Sequence, residues 1–154
     1  MPLSRLLPAI IATLAAAVPA QADPGHAHFS AGVPGDPKKP ARVIEVLMKE
    51  GNGTMSYVPD RVEVKRGEQV RFVLKNVGAL AHEFVLASTA DNLKHAALMQ
   101  KYPDMEHDDP NGKTVQPKGS SEILWRFTRR GEFEFGCLIP GHREAGMLGK
   151  VFVK

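Results

Sequence analysis

The segment Cys137-Leu138-Ile139-Pro140-Gly141-His142-Arg143-Glu144-Ala145-Gly146-Met147 places a thiol, an imidazole and a thioether within one short loop. A second imidazole, His82, opens an apolar run upstream. One thiolate, two imidazoles and a weak thioether form the donor set of a type 1 copper site. Zinc rarely recruits a Met, and a dithiol redox site needs two Cys, whereas this chain has one. A zinc Cys-His-His site is the non-redox alternative.

The sequence around that loop alternates with the period of strands. Phe133 and Phe135 alternate with Glu132 and Glu134 just before Cys137, and Lys150-Val151-Phe152-Val153 follows the loop. Further upstream Val62 and Val64 alternate with Glu63 and Lys65. Val70, Phe72 and Leu74 point one way, and Ile123, Trp125 and Phe127 share a face on another strand. Val43 to Leu47 reads as a first strand, and Phe84, Val85 and Leu86 continue one that begins near His82. Gly51-Asn52-Gly53, Asn76-Val77-Gly78 and Arg130-Gly131 mark turns. About seven short strands with regular turns predict an all-β, antiparallel Greek-key sandwich. One helix is expected over Ala90–Tyr102, with Leu93, Ala97 and Tyr102 on its inner face and Pro103 as its stop. Asp104 to Lys118 reads as a long polar excursion.

A sandwich gathers its strand ends and loops at two poles. If the strand opened by His82 and the strand followed by Cys137 are neighbours pointing the same way, both side chains lie at one pole. Pro140-Gly141 then lets the loop turn back, since Pro restricts one torsion and Gly permits one that other residues resist. His142 and Met147 are thereby aimed at the Cys137 sulfur. Cys137 supplies the strong bond, His82 and His142 complete a trigonal plane, and Met147 is a long axial contact. Four protein donors leave no open position for a substrate, which argues against an enzyme.

The N-terminus reads as a secretory signal over residues 1–22, with Arg5, an apolar run from Leu6 to Val18 and an Ala20-Gln21-Ala22 cleavage site. That run is too short for a membrane anchor. The expected location is the periplasm, with no membrane association after cleavage. Residues 23–40, rich in Pro and Gly and holding His26 and His28, are expected to be a flexible leader ahead of a domain over 41–154. The full chain carries 20 basic and 17 acidic side chains. Losing Arg5 with the signal leaves a net charge of +2, too mild and scattered for a nucleic-acid partner. A lone Cys in an oxidising compartment is either buried and inert or bound to something. The neighbours of Cys137 favour the second.

The pattern Cys-x4-His-x4-Met after Phe-x-Phe-Gly, with an upstream His opening a strand, resembles the cupredoxins over roughly Arg42 to Lys154. The loop spacing is similar to that of rusticyanin and plantacyanin and differs from the shorter one of plastocyanin. His82-Glu83-Phe84-Val85-Leu86, the segment Pro103 to Asn111 and Cys137-Leu138-Ile139-Pro140-Gly141-His142 together resemble the CopI-type copper-tolerance cupredoxins. The resemblance implies copper held by His82, Cys137, His142 and Met147, and a role in handling excess copper. Many cupredoxins follow the upstream His with an Asn whose amide ties the two donor loops together. Glu83 stands there instead, and a carboxylate donates no such bond unless protonated. The surroundings of the donors therefore differ from those of the blue proteins, which leaves both a blue and a green centre open.

Other residues bear on function. His26 and His28 on the leader, and Met99, Met105 and His107 beside acidic residues, are candidate secondary copper donors; Met99 and Met105 equally read as packing residues. Leu80, Ile139, His142, Ala145 and Leu148 are expected to form an apolar patch through which a redox protein partner exchanges electrons. Two functions share this site: a copper-tolerance protein, and a dedicated electron carrier. A monomer is expected in either case. Copper oxidases and nitrite reductases need further copper centres, and this chain is too short for their repeated domains.

Overall fold

The computed structural model describes residues 29–102 and 109–154. Among the described residues, ten strands form two sheets. The first has the order β1 (Val33–Pro34), β8 (Ser120–Arg126), β5 (Gln69–Asn76), β2 (Arg42–Gly51), β3 (Thr54–Val58). The second runs β4 (Arg61–Val64), β10 (Leu148–Val153), β9 (Gly131–Gly136), β6 (His82–Ala87), β7 (Gly112–Val115). One helix, α1 (Thr89–Lys101), follows β6.

The alternating apolar residues meet between the sheets. Val46, Tyr57, Phe72, Leu74 and Trp125 from the first sheet face Val62, Phe84, Phe135 and Val151 from the second, all buried. Phe84 and Phe135, on neighbouring strands, stack with ring centroids 4.8 Å apart. Tyr57 meets Phe135 edge-on at 5.1 Å, and Phe72 tilts against Phe84 at 5.3 Å. Each buried aromatic of this kind contributes about 1.5–3 kcal/mol through the apolar surface it removes from water.

The sandwich differs from the sequence expectation in four ways. It is mixed: β2 pairs with β5, and β4 with β10, in parallel register. Residues 29–40 are part of the fold, because Ala31 is fully buried, Phe29 packs edge-on to Trp125 at 5.3 Å, and β1 pairs with β8. The polar excursion contains β7, which pairs with β6. The inner face of α1 is polar as well as apolar: Asn92 and Met99 are buried while Leu93 and Tyr102 are 51% and 56% exposed.

Helix α1 begins where Ser88 Oγ accepts the Asp91 N–H at 3.1 Å, an N-cap that satisfies an otherwise orphan donor. It packs on the outer face of β6 and β9. This cover explains why all six residues of β6 are buried, where a half-exposed strand would alternate. Among the described residues no helix is long and apolar enough to cross a membrane.

Candidate metal centre

β6 and β9 are antiparallel neighbours, with Val85 opposite Gly136. The start of one therefore lies beside the end of the other. The two strands run in opposite directions, contrary to the same-way arrangement expected, and this is what brings His82 and Cys137 to one pole. The connection from β9 to β10 returns to the same pole, and His142 sits within it.

The donor atoms converge. His82 Nδ1 lies 3.3 Å from His142 Nδ1, and Cys137 Sγ lies 3.3 Å from His142 Nδ1. The donor atoms of all three residues fall within 4.8 Å of one another. An ion bonded to all three at roughly 2.0–2.3 Å holds its donors some 3.5–4 Å apart, so the three fit one ion. His82 and Cys137 are fully buried, and His142 is half-buried.

The loop is held by its own backbone. The Cys137 N–H donates to Met147 O at 3.2 Å, and the Met147 N–H donates to His142 O at 3.1 Å. Gly141 adopts φ +87°, the left-handed conformation expected of it, and the Ala145 N–H donates to its carbonyl at 3.1 Å. Met147 is fully buried in the same core cluster as Cys137. The Met55 N–H donates to Ala145 O at 2.9 Å, pinning the β2–β3 hairpin to the loop.

The tie between the two donor segments, which the Glu83 side chain is not expected to make, comes from main chain. The Glu83 N–H donates to Cys137 Sγ at 3.3 Å, and Glu83 O accepts the Tyr57 hydroxyl at 2.5 Å. Burial pushes the Cys137 thiol up to about 12, although the amides of Glu83 and Ile139 pull the other way. A metal cation bound at this sulfur would stabilise the thiolate and displace the proton to solvent, which water alone does not achieve near neutral pH. Burial lowers the His142 pKa below its ordinary value, and the neighbouring His82 adds to that. A neutral imidazole is the form that ligates metal.

Three site-shaping residues escape the sequence reading. Glu50 Oε1 lies 2.7 Å from His82 Nε2 and accepts the Leu80 N–H at 3.0 Å, while Oε2 accepts the Ala79 N–H at 3.0 Å. Partial burial opposes its charge, but these two amides and the His82 ring outweigh that and hold the Glu50 carboxyl at about 2. Asn76, buried, donates to Leu80 O at 2.7 Å and Val115 O at 3.0 Å, which shapes the turn ahead of His82. Glu134 is fully buried under α1. Its carboxylate accepts from Arg143 at 2.6 Å, Thr89 at 2.9 Å and Asn92 at 3.2 Å. Strand alternation marks Glu134 as outward-facing, and only the helix overhead converts outward into buried.

Of the other residues singled out, Leu80 is 46% exposed, while Ile139, Ala145 and Leu148 are half-buried. Met99 is buried, packed with Val85 and Leu138. His26, His28, Met105 and His107 lie outside the described residues.

Comparison with known proteins agrees with this chemistry. A family model described as copper binding proteins of the plastocyanin/azurin family matches residues 44–154. The copper-resistant cuproprotein CopI of Rubrivivax gelatinosus is 47% identical, the match covering 97% of each chain. CopI of Pseudomonas aeruginosa is 37% identical, again over 97% of each. In fold, the chain is similar to the dithionite-reduced auracyanin of Roseiflexus castenholzii. The TM-score is 0.61 at 22% identity, covering 75% of this chain and 99% of that one.

Proposed function

The chain belongs to the plastocyanin/azurin family of copper-binding proteins, and from that premise we propose that it is a periplasmic type 1 copper protein serving copper tolerance. The carrying observation is the convergence of Cys137 Sγ, His82 Nδ1 and His142 Nδ1 at one pole. Copper bound there supplies one-electron Cu(I)/Cu(II) chemistry. Cys137 as thiolate and the His82 and His142 imidazoles would hold the ion, with the Met147 thioether as a weaker fourth donor. The backbone bonds of the loop would hold these donors in place around the ion. With the donor set filled by protein, the role is binding and redox exchange without catalysis.

The tolerance role is supported by the CopI relatives, whose similarity spans nearly the whole chain. The signal-like residues 1–22 support export to the periplasm. His26, His28, Met105 and His107 are proposed as weaker copper donors. Met99, on the buried side of α1 against Val85 and Leu138, contributes most simply to the core. Absorption and paramagnetic resonance spectra during copper titration test the reading. An intense visible band that appears with the first equivalent and vanishes in Cys137→Ser supports it; a colourless complex would exclude it. Further equivalents lost on replacing His26, His28, Met105 and His107 support handling over transfer alone.

A second reading, a dedicated electron carrier acting as a monomer, is favoured by one observation. Leu80 is exposed and Ile139, Ala145 and Leu148 are partly so, around the half-buried His142. A redox partner with an apolar face fits there. A single copper per chain would favour this reading.

A further inference from the structure

We infer that Glu50 is a positioning residue for the metal centre: its carboxylate orients the His82 ring and sets a fixed negative charge behind that ligand. The inference rests on the copper reading above.

The arrangement is built from several elements at once. Glu50 stands near the end of β2, before the turn into β3. One carboxylate oxygen takes both His82 Nε2 and the Leu80 amide, and the other takes the Ala79 amide. His82 itself is fully buried, while the Glu50 side chain keeps 22% of its surface exposed. Space for the carboxylate exists because residue 78 is glycine. A Cβ on Gly78 would lie 2.2 and 2.3 Å from the two Glu50 oxygens. The carboxylate therefore cannot leave the ring without releasing two backbone donors, and the ring cannot rotate without losing a charge-assisted bond.

Two consequences follow for the metal. The bond to Nε2 places the imidazole proton there, so that Nδ1 presents its lone pair toward Cys137 and His142. A fixed negative charge behind the ligand also stabilises positive charge at the metal, which favours the more highly charged ion. Glu50 thus holds the centre toward Cu(II), and removing its charge shifts the preference toward Cu(I).

The test is the midpoint potential of the copper-loaded full chain, with the visible spectrum recorded on each sample. Glu50→Gln keeps an acceptor oxygen but removes the charge. It is expected to keep the cysteinate band and lower the preference for the oxidised ion about tenfold, a rise of about 59 mV for one electron. Gly78→Ala displaces the carboxylate without removing any charged group and is expected to move the potential the same way. Glu45→Gln removes an exposed carboxylate from the same strand, one paired with Lys75, and should leave the potential in place. A merely structural clamp on the Ala79–Leu80 turn would alter stability without this upward shift. A Glu50→Gln potential no higher than that of Glu45→Gln overturns the inference. If Glu50→Gln does not fold, Gly78→Ala decides in its place, and a potential there no higher than that of Glu45→Gln overturns the inference equally. A parent protein with no Cys137-dependent band would instead defeat the copper reading itself.

Discussion

Arg143 and Glu134 pair at 2.6 Å with the carboxylate fully buried, joining the strand that delivers Cys137 to the residue that follows His142. Glu134 lies on β9 and Arg143 inside the loop, so the ion pair closes the loop from its outer side. Thr89 and Asn92 donate to the same carboxylate, which fastens the loop to α1 as well. The helix far from the donor atoms is thereby part of their support.

Arg143→Ala leaves a buried carboxylate with only neutral partners and the distant Lys150 ammonium at 3.8 Å. Breaking one side of a buried pair is costly, and a loss of about 3 kcal/mol is expected in urea unfolding of the metal-free protein. A loss below about 0.5 kcal/mol, the scale of an ordinary surface change, would contradict this account of the pair.

Glu134 also sets a pH dependence. Burial alone would raise its pKa, but Arg143, Thr89 and Asn92 outweigh that and hold it below the ordinary value of 4.5. A carboxyl depressed in the folded state adds stability above its unfolded pKa, and that stability is lost as pH falls through the folded value. The parent should therefore lose more stability than Glu134→Gln as pH falls below that ordinary value, compared by urea midpoint. Equal losses would contradict it.

Gly149 sits where the ring of Phe135 crosses β10. A Cβ there would stand 2.1 Å from Phe135 Cε2 and 2.9 Å from the Asp60 carbonyl oxygen. Gly149→Ala must displace a core ring that stacks on Phe84, at a cost of about 1–3 kcal/mol. Thermal unfolding checks this, and an unchanged midpoint would mean that the ring moves freely.

Met147→Leu conserves volume in a fully buried position, so the fold should tolerate it. As the proposed axial donor, Met147 should matter to the ion more than to the core. The variant is expected to keep the visible band and to raise the midpoint potential. A potential and resonance spectrum identical to the parent would place the Met147 sulfur outside the copper's reach.

Leu80→Asp puts a charge on the exposed rim of the pole that holds His142. If electrons pass through that pole, two copies meeting there now repel. Electron self-exchange, followed by line broadening in mixed-oxidation samples, is expected to slow by about tenfold at low salt. An unchanged rate would move the exchange surface elsewhere.

Most of the sandwich is legible from alternation, because apolar side chains at period two report one buried face. Val62 and Val64, then Val70, Phe72 and Leu74, behave that way. Where a second layer covers the outer face, alternation stops reporting burial: Glu134, bonded to Thr89 and Asn92 of α1, is buried for that reason. The inner face of α1 is hidden from periodicity because Asn92 is buried by hydrogen bonds to Val85 O and to Glu134, partners distant in sequence or brought near by the fold. Parallel pairing leaves no local signature either, since β4 and β10 meet only after much of the chain has intervened. Of the site, Cys137, His142 and His82 are readable as donors by chemistry and spacing. Glu50 is not, because a glutamate ahead of a Gly-Asn-Gly turn looks like any solvated strand end.

Because Leu148 stands opposite Gly136 at the first rung of the β9–β10 ladder, the donor loop is an insertion whose two ends are clamped by a register outside it. Slipping that register by one position would turn the inward side chains of β10 toward solvent, whereas changing the chain between the clamps leaves every rung intact. The frame therefore behaves as a socket: its rungs hold their register independently of the segment between Cys137 and Met147, and a replacement segment needs only a cation in place of Arg143 to meet the buried Glu134.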